Sequence, residues 1–172
     1  MLTKAATTDF RRALGQFATG VTVVTTCTAE GTPVGVTVNS FNAVSLEPPL
    51  VVWSLSLAAS THPVFRDCPR YLVHVLSAGQ LEVARRFAQR GIDRFAGLAW
   101  QVSDAGLPQI EGCVARFQCV HRNHHIEGDH LVMIGAVERF VTLGGAPLIF
   151  HDSRYITDLR EARLPKVLRD VR

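Results

Sequence analysis

The sequence predicts a mainly β protein with a few helices, in which the strands form a closed or nearly closed antiparallel barrel. About seven runs are rich in β-branched and apolar residues, whereas only two or three segments have helical periodicity. Strands follow strands through short turns, which excludes a doubly wound sheet, and a closed barrel leaves few strand edges exposed. With 172 residues, 47% of them hydrophobic, and no repeat or linker, the chain predicts one domain over residues 1–172.

The first 68 residues predict one long helix, a hairpin, a buried strand and a helical turn. The segment "DFRRALGQFATG" predicts a helix with an N-cap at Thr8 or Asp9 and an end at Gly20. The apolar face of that helix would consist of Phe10, Leu14 and Phe17. The runs "VTVVTTCT" and "TPVGVTV" flank "AEG", which indicates a hairpin. The run "LVVWSLSL" predicts a buried strand, and "THPVFRDC" predicts a short helical turn.

The remaining chain predicts four more strands and a second long helix. After the strand "RYLVHVL", the segment "SAGQLEVARRFAQRG" carries a capping box, Ser77 with Gln80, and Gly91 at its exit. The inner face of this helix would consist of Leu81, Ala84, Phe87 and Ala88. We expect "IDRFAGLAWQVSDAGLPQI" to be irregular. The runs "CVARFQCVHRNHHI" and "HLVMIGAVERFV" flank the turn "EGD", and "PLIFH" follows as a strand.

Charge and composition exclude several classes of function. The net charge is +3 without a basic stripe, so we expect no nucleic-acid partner. We see no signal peptide and no apolar run near the roughly 20 residues of a membrane span, so we expect no membrane association and a cytoplasmic protein. The four cysteines show no CxxC spacing, which predicts reduced thiols. The C-terminal "DLREARLPKVLRDVR" alternates in charge, which indicates a solvated tail or a terminal helix.

Two polar segments are candidates for a ligand site. In "TVNSF", residues Thr37–Phe41, short polar side chains could hydrogen-bond the edge of a planar ring such as a flavin, or could simply shape a turn. In "SLSLAASTHPVF" hydroxyl groups precede a helical turn with Pro63, which predicts either a phosphate seat or ordinary N-capping. These hydroxyl groups belong to Ser54, Ser56, Ser60 and Thr61. Neither GxGxxG nor GxxxxGK[ST] is present.

The histidine-rich segment "CVHRNHHIEGDH" does not predict a metal site. On a regular strand Cys119, His121 and Asn123 would share one face, and the spacing matches no structural zinc pattern. His130 differs because it opens a strand directly after a turn, where it could contact a nicotinamide or a phosphate or shuttle a proton; the alternative is an exposed turn histidine.

Two arginines allow a structural or a ligand-binding interpretation, and the two tryptophans are expected to be structural. The arginines Arg85 and Arg86 could be solvated, with a Glu82–Arg86 pair, or could reach an anionic cofactor. Trp53 and Trp100 are expected in the core.

Six collinear segments together resemble the short-chain flavin reductases, the reductase components of two-component flavin-dependent monooxygenases. These are "FRRALGQFATGVTVVTT", "GVTVNSFNAVSLEPPLVVWSL", "VLSAGQLEVARRFA", "DRFAG", "GLPQIEG" and "EGDHLVMIGAVE". The match runs from about Phe10 to Tyr155, which places the domain core at about 10–155 and a tail at 156–172. The resemblance implies a six-stranded antiparallel split β-barrel and a homodimer.

The resemblance also implies roles for individual residues. The flavin ring would lie along Thr37, Val38, Asn39, Ser40 and Phe41, with Ala43 and Val44 nearby. The ribityl chain and phosphate would pass Ser54, Leu55, Ser56, Ser60 and Thr61, with Arg86 as the anion partner. The nicotinamide side would involve His130, the implied catalytic residue, together with Arg154 and Tyr155.

The implied activity is NAD(P)H:flavin oxidoreduction, with FMN or FAD as the flavin, NADH or NADPH as the donor and a separate monooxygenase as the recipient of reduced flavin. Two departures from the family pattern stand out: His74 replaces an asparagine in "VHVLS", and "LSLAAST" lacks a lysine. Three alternatives remain: a flavin-bound reductase of a corrin cobalt or ferric complex, a non-catalytic flavin-binding module, and a structural barrel with a metal at the histidine cluster.

Overall fold

The computed structural model describes residues 3–158, which form twelve strands, three α-helices and one 3-10 turn. The predicted C-terminal tail or helix falls almost wholly outside these residues. In chain order the elements are α1 (Lys4–Gly15), β1 (Thr19–Gly20), β2 (Thr22–Cys27), β3 (Pro33–Val38), β4 (Asn42–Leu46), β5 (Pro49–Ser56), α2 (His62–Asp67), β6 (Arg70–Val75), the 3-10 turn (Ala78–Gln80), α3 (Leu81–Ala88), β7 (Trp100–Val102), β8 (Pro108–Ile110), β9 (Ala115–Glu127), β10 (His130–Thr142), β11 (Ile149–His151) and β12 (Arg154–Ile156).

The main sheet has seven strands in the order β3-β2-β6-β9-β10-β5-β4, and every neighbouring pair is antiparallel. Its two edge strands, β3 and β4, are consecutive in the chain, and no ladder joins them among the described residues. The sheet is therefore open between β3 and β4, at the segment that carries Asn39 and Ser40. The predicted mainly β, antiparallel fold class is confirmed. No helix within residues 3–158 is both long and apolar enough to cross a membrane.

The inner face of this sheet encloses an aromatic core. The Trp53 ring meets Phe65 and Tyr71 edge-on, at centroid distances of 5.1 and 5.6 Å, and all three side chains are fully buried. Phe65 belongs to α2, so this short helix covers the core with its one buried residue. Trp53 is a core residue, as predicted. Edge-on aromatic pairs add to the stabilisation that burial provides.

A second apolar cluster lies outside the sheet, under α3. Ala84 and Phe87 of α3 are fully buried there, and the Phe87 ring meets Phe95 edge-on at 5.0 Å. The predicted capping box is confirmed, because the Ser77 and Gln80 side chains each bond the other's backbone. Ala88, predicted on the inner face, is exposed.

The segment expected to be irregular, 92–110, contains the hairpin of β7 and β8. Two long-range bonds fix it: the Thr25 hydroxyl donates to the Pro108 carbonyl oxygen at 2.5 Å, and the Ile110 amide donates to Nε2 of His74 at 3.1 Å.

The first helix differs from the prediction at both ends. It begins at Lys4 with Thr3 as the N-cap, and it ends at Gly15 rather than Gly20. The helix stops because the Asp152 amide donates to the Gly15 carbonyl oxygen, and the next residues form β1 against β11. The predicted apolar face of Phe10, Leu14 and Phe17 is not covered by the rest of this chain: all three side chains are more than half exposed.

Candidate functional site

The polar stretch Thr37–Phe41 connects the two edges of the sheet. The Thr37 hydroxyl donates to the Ala84 carbonyl oxygen of α3 at 2.7 Å, so towards a ligand it can act only as an acceptor. Val38 and Phe41 pack against the inner core. Asn39 is exposed, and the Ser40 hydroxyl bonds the backbone of Ser54. Of the predicted ring-edge side chains, Asn39 is therefore the one that is exposed and able both to donate and to accept.

A small cavity brings Tyr155 next to this stretch. Its volume is about 150 Å³, and it is lined by Val21, Thr37, Val38, Asn39, Ala88, Phe150 and Tyr155. The Tyr155 ring meets Phe150 edge-on at 5.2 Å, and burial raises the pKa of the Tyr155 hydroxyl above its ordinary value. Two predicted groups of residues, those for the flavin edge and those for the nicotinamide, thus meet at this cavity.

A polar row runs along the outer face of β5 and β10. Ser54 and Ser56 alternate with the buried Trp53 and Leu55, so the two serines point away from the core while the Leu55 side chain points into it. Ser56 pairs with His130 across the strands, and neighbouring strands lie about 4.8 Å apart. The structure therefore brings together one residue expected at the flavin and one expected at the nicotinamide.

The His130 ring is held by the adjacent carboxylate. Its Nδ1 lies 2.6 Å from Oδ1 of Asp129, and this bond, followed by the charge of His130, lowers the pKa of Asp129. Because the carboxylate accepts the Nδ1 proton, Nε2 is the ring nitrogen available to a ligand.

The predicted phosphate residues Ser60 and Thr61 line a second cavity of about 300 Å³ together with Arg94. The Thr61 hydroxyl is buried and has no hydrogen-bond partner within residues 3–158, and Thr61 precedes α2 without capping it. The Arg94 guanidinium donates through Nη1 to the Gly35 carbonyl oxygen at 2.5 Å and through Nε to that of Gln89 at 2.9 Å. A fixed cation and an unpaired hydroxyl in one cavity suit an anionic group.

Arg86, the predicted anion partner, lies elsewhere. Its Nη1 donates to the Ala96 carbonyl oxygen, and it lines a different cavity, which contains neither Ser60 nor Thr61. Sequence reasoning missed Arg94, although it belongs to the quoted segment "DRFAG". The role of Arg86 as the anion partner stays a prediction, whereas the expected Glu82–Arg86 pair is corrected: Glu82 bonds Arg85, at 2.7 Å.

The remaining predicted residues lie at the margins. Ala43 and Val44 are exposed on the edge strand β4, and Arg154 is exposed on β12, where it pairs with His151. His130 and Tyr155 lie in different sheets.

His74 is a buried structural residue. Its Nδ1 donates to the Val23 carbonyl oxygen at 3.1 Å, and its Nε2 accepts from Ile110. Burial lowers the pKa of His74 to about 4, so the ring is neutral at pH 7. This departure from the family pattern therefore anchors the β7–β8 hairpin.

These features define a split antiparallel barrel with polar rows and an anion-compatible cavity around its opening. Residues 14–157 match the model of the flavin reductase like domain, and the chain belongs to this family.

The relatives include named flavin reductases. The chain is 48% identical over 142 residues to the FMN reductase (NADH) SmoA of Agrobacterium fabrum. The matched residues cover 83% of this chain and 80% of that protein. It is 40% identical over 154 residues to the reductase component of the flavin-dependent trigonelline monooxygenase of Acinetobacter baylyi, 90% of this chain but 50% of that protein.

Solved structures share the fold over nearly the whole chain. The NADH:FAD oxidoreductase SgcE6 of Streptomyces globisporus C-1027, in complex with NAD and FAD fragments, superposes with a TM-score of 0.85 at 34% identity, covering 94% of this chain and 98% of that one. The styrene monooxygenase flavin reductase of Pseudomonas putida S12 gives a TM-score of 0.78 at 35% identity, and the match covers 86% of this chain and 95% of that one.

Proposed function

We propose that this chain is an NAD(P)H:flavin oxidoreductase that reduces FMN or FAD and supplies the reduced flavin to a separate monooxygenase. The observation that carries the proposal is the cavity in which Tyr155, expected at the nicotinamide, lies beside Thr37 and Asn39, expected at the flavin ring. Hydride transfer requires the flavin and nicotinamide rings to be held face to face, so the residues that hold the two rings must be neighbours.

The described residues fit a flavin at its polar ends. The unpaired Thr61 hydroxyl and the Arg94 guanidinium share a cavity that suits the phosphate, and the exposed Asn39 amide suits the ring edge. A bound flavin supplies the two-electron acceptor for hydride from the nicotinamide. The residues of this chain bind and orient: Arg94 holds the phosphate charge, Asn39 bonds the ring edge, and His130 presents Nε2 to the nicotinamide.

We infer further that the chain acts as a homodimer. The cavity beside Asn39 holds about 150 Å³, whereas small-molecule sites occupy roughly 300–1,000 Å³, so a second copy is needed to complete the ring site. Exposed apolar side chains offer a surface for that copy: Phe17 is 70% exposed and Leu46, on the edge strand β4, is 91% exposed. Sedimentation analysis at micromolar concentration tests the dimer.

We also propose a cytoplasmic location, because all four cysteines are free thiols.

Anaerobic reduction tests the catalytic proposal. Purified protein is mixed with FMN and then with NADH or NADPH, and the flavin absorbance at about 450 nm is followed. Bleaching at a rate proportional to protein concentration, with renewed NADH consumption on admission of air, is the expected result. Protein that binds FMN but leaves the absorbance unchanged with both nicotinamides would instead be a flavin-binding module. The same mixture of FMN and nicotinamide without protein is the control for bleaching that the chain does not catalyse.

A further inference from the structure

Two histidines on β9 face each other at the end of the barrel beside α2. Nδ1 of His124 lies 3.1 Å from Nε2 of His121, and the ring centroids are 5.1 Å apart. Residues three apart on a regular strand point to opposite faces. A β-bulge at Arg122 removes that alternation, because Gly135 pairs with His121 while the preceding residue of β10 pairs with Asn123.

The hydrogen bonds of His121 leave one ring nitrogen directed at His124. Nδ1 of His121 lies 2.9 Å from the Cys68 carbonyl oxygen at the C-terminal end of α2. A carbonyl oxygen only accepts, so Nδ1 carries the ring proton and Nε2 presents its lone pair. Histidine ligands of metals are held in the same way, with the second ring nitrogen donating to a carbonyl or carboxylate.

The distance between the two nitrogens matches the separation of two ligand atoms that bind the same metal ion. With metal–nitrogen bonds of about 2.05 Å, two ligands are about 2.9 Å apart at a right angle and about 3.3 Å apart at a tetrahedral angle. The observed 3.1 Å lies between these values. We propose that His121 and His124 form a bidentate site for a divalent transition-metal ion that imidazole favours, such as Zn²⁺, Ni²⁺ or Cu²⁺.

One carboxylate, that of Asp67, lies near His124. Its pKa is lowered, first by its bond with Arg66 and also by the charges of His124 and His62. Within residues 3–158 no group of three or more histidine, cysteine or acidic side chains is gathered around one point, so the proposed site has two protein ligands, His121 and His124. The metal would take the place of the proton that lies between Nδ1 of His124 and Nε2 of His121. That proton moves to Nε2 of His124, so the number of bound protons does not change.

Calorimetric titration of the full chain, with any affinity tag removed, tests this site with Zn²⁺ alone. We expect one saturable site per chain, and a rise in melting temperature with Zn²⁺ because only the folded state places the two rings together. The His121→Gln and His124→Gln proteins should lose both effects, whereas His125→Gln, at an exposed position on the same strand, should keep them. Unchanged binding by His124→Gln, or equal loss by His125→Gln, overturns the proposal.

Electron paramagnetic resonance with Cu²⁺ gives a second readout. Two imidazole nitrogens should couple to the copper in the wild-type protein and one in the His124→Gln protein. The same spectrum from both proteins contradicts the assignment. Circular dichroism without metal establishes that each variant folds; since His124 is only partly buried, its variant decides the matter if His121→Gln does not fold.

Discussion

Ser40 and Ser54 share two hydrogen bonds of opposite direction. Oγ of Ser40 donates to the Ser54 carbonyl oxygen at 3.0 Å and accepts from the Ser54 amide at 2.8 Å. In β4 and β5, Asn42 pairs with Val52, so Ser40 stands opposite Ser54 in the continued register. The Ser40 side chain thus replaces the next pair of backbone hydrogen bonds between the two strands, and it fixes the segment that carries Asn39.

We predict that Ser40→Ala weakens flavin binding several-fold and lowers the free energy of unfolding by about 1 kcal/mol, because the Ser54 backbone groups lose their partner. Fluorescence titration with FMN and urea denaturation measure the two effects. The control is Ser45→Ala, on the same edge of the sheet, for which we expect wild-type values. If Ser40→Ala binds FMN as tightly as Ser45→Ala, Ser40 does not position the flavin segment.

The Arg94 guanidinium should contribute more to phosphate binding than Arg86. We predict that Arg94→Met raises the dissociation constant for FMN by about tenfold to a hundredfold, the value of a charge-assisted hydrogen bond. Riboflavin, which lacks the phosphate, should bind the variant and the wild type equally well. Arg86→Met is the matched control, since its side chain bonds Ala96 in another cavity.

The opposite ranking, with Arg86→Met more damaging for FMN binding than Arg94→Met, would identify Arg86 as the anion partner. Arg94 also bonds the Gly35 carbonyl oxygen. The comparison with riboflavin therefore separates a loss of phosphate binding from a general disturbance of the cavity.

His74 should make the stability of the protein depend on pH. Its folded pKa of about 4 lies below the usual 6.5 of histidine, so between these values the unfolded state binds more protons. The contribution is fully present above pH 6.5 and is lost as the pH falls towards 4, with a total of about 3 kcal/mol at 1.4 kcal/mol per pKa unit.

Urea denaturation at pH 7.5, 6.0, 5.0 and 4.5, at one protein concentration, measures this contribution. His74→Asn removes the titrating group, so its stability should change less between pH 6.5 and 4.5 than that of the wild type. The exposed His125→Gln should keep the wild-type slope. Parallel curves for wild type and His74→Asn would contradict the buried, neutral state of His74.

Local patterns in the sequence predicted the elements whose packing is local. The capping box at Ser77 and the spacing of Ala84 and Phe87 predict α3 because each depends on residues within a few positions. The β7–β8 hairpin was missed because its strands are three residues long and depend on bonds from the distant Thr25 and His74. Tertiary contacts of this kind leave no periodic signal in the chain.

The candidate site likewise combines residues that the sequence pattern can identify with residues that only the fold brings together. Short polar residue types make Asn39 and Ser56 candidates from the sequence alone, and their roles stay predictions. Arg94 could not be placed beside Thr61 in this way, because only the folded loop after α3 brings these two residues to one cavity. Strand alternation would place His121 and His124 on opposite faces, and the bulge at Arg122 that brings them together has no signal in the sequence.

The close packing of Gly35 against Phe87 predicts a stability effect. A Cβ at Gly35 would lie 2.5 Å from Cε1 of Phe87, whose ring is fully buried under α3. We predict that Gly35→Ala lowers the free energy of unfolding by about 1–3 kcal/mol, the usual cost of overpacking. Gly20→Ala is the control, because a Cβ there would meet nothing within 4 Å. Equal urea midpoints for both variants would show that α3 adjusts without cost.

His130 should act on the nicotinamide rather than on the flavin. Its Nδ1 bonds Asp129, and His130 is only partly buried, so Nε2 can offer one hydrogen bond to the donor substrate. We predict that His130→Ala raises the apparent KM for NADH roughly tenfold, the value of one such bond, and leaves the KM for FMN nearly unchanged.

Steady-state kinetics with each substrate varied at saturating levels of the other measures both constants. His125→Ala, which removes an imidazole from the exposed part of β9, should behave like the wild type. Equal rises in both constants would mean that His130 supports the common surface formed with Ser56, and its assignment to the nicotinamide would have to be withdrawn.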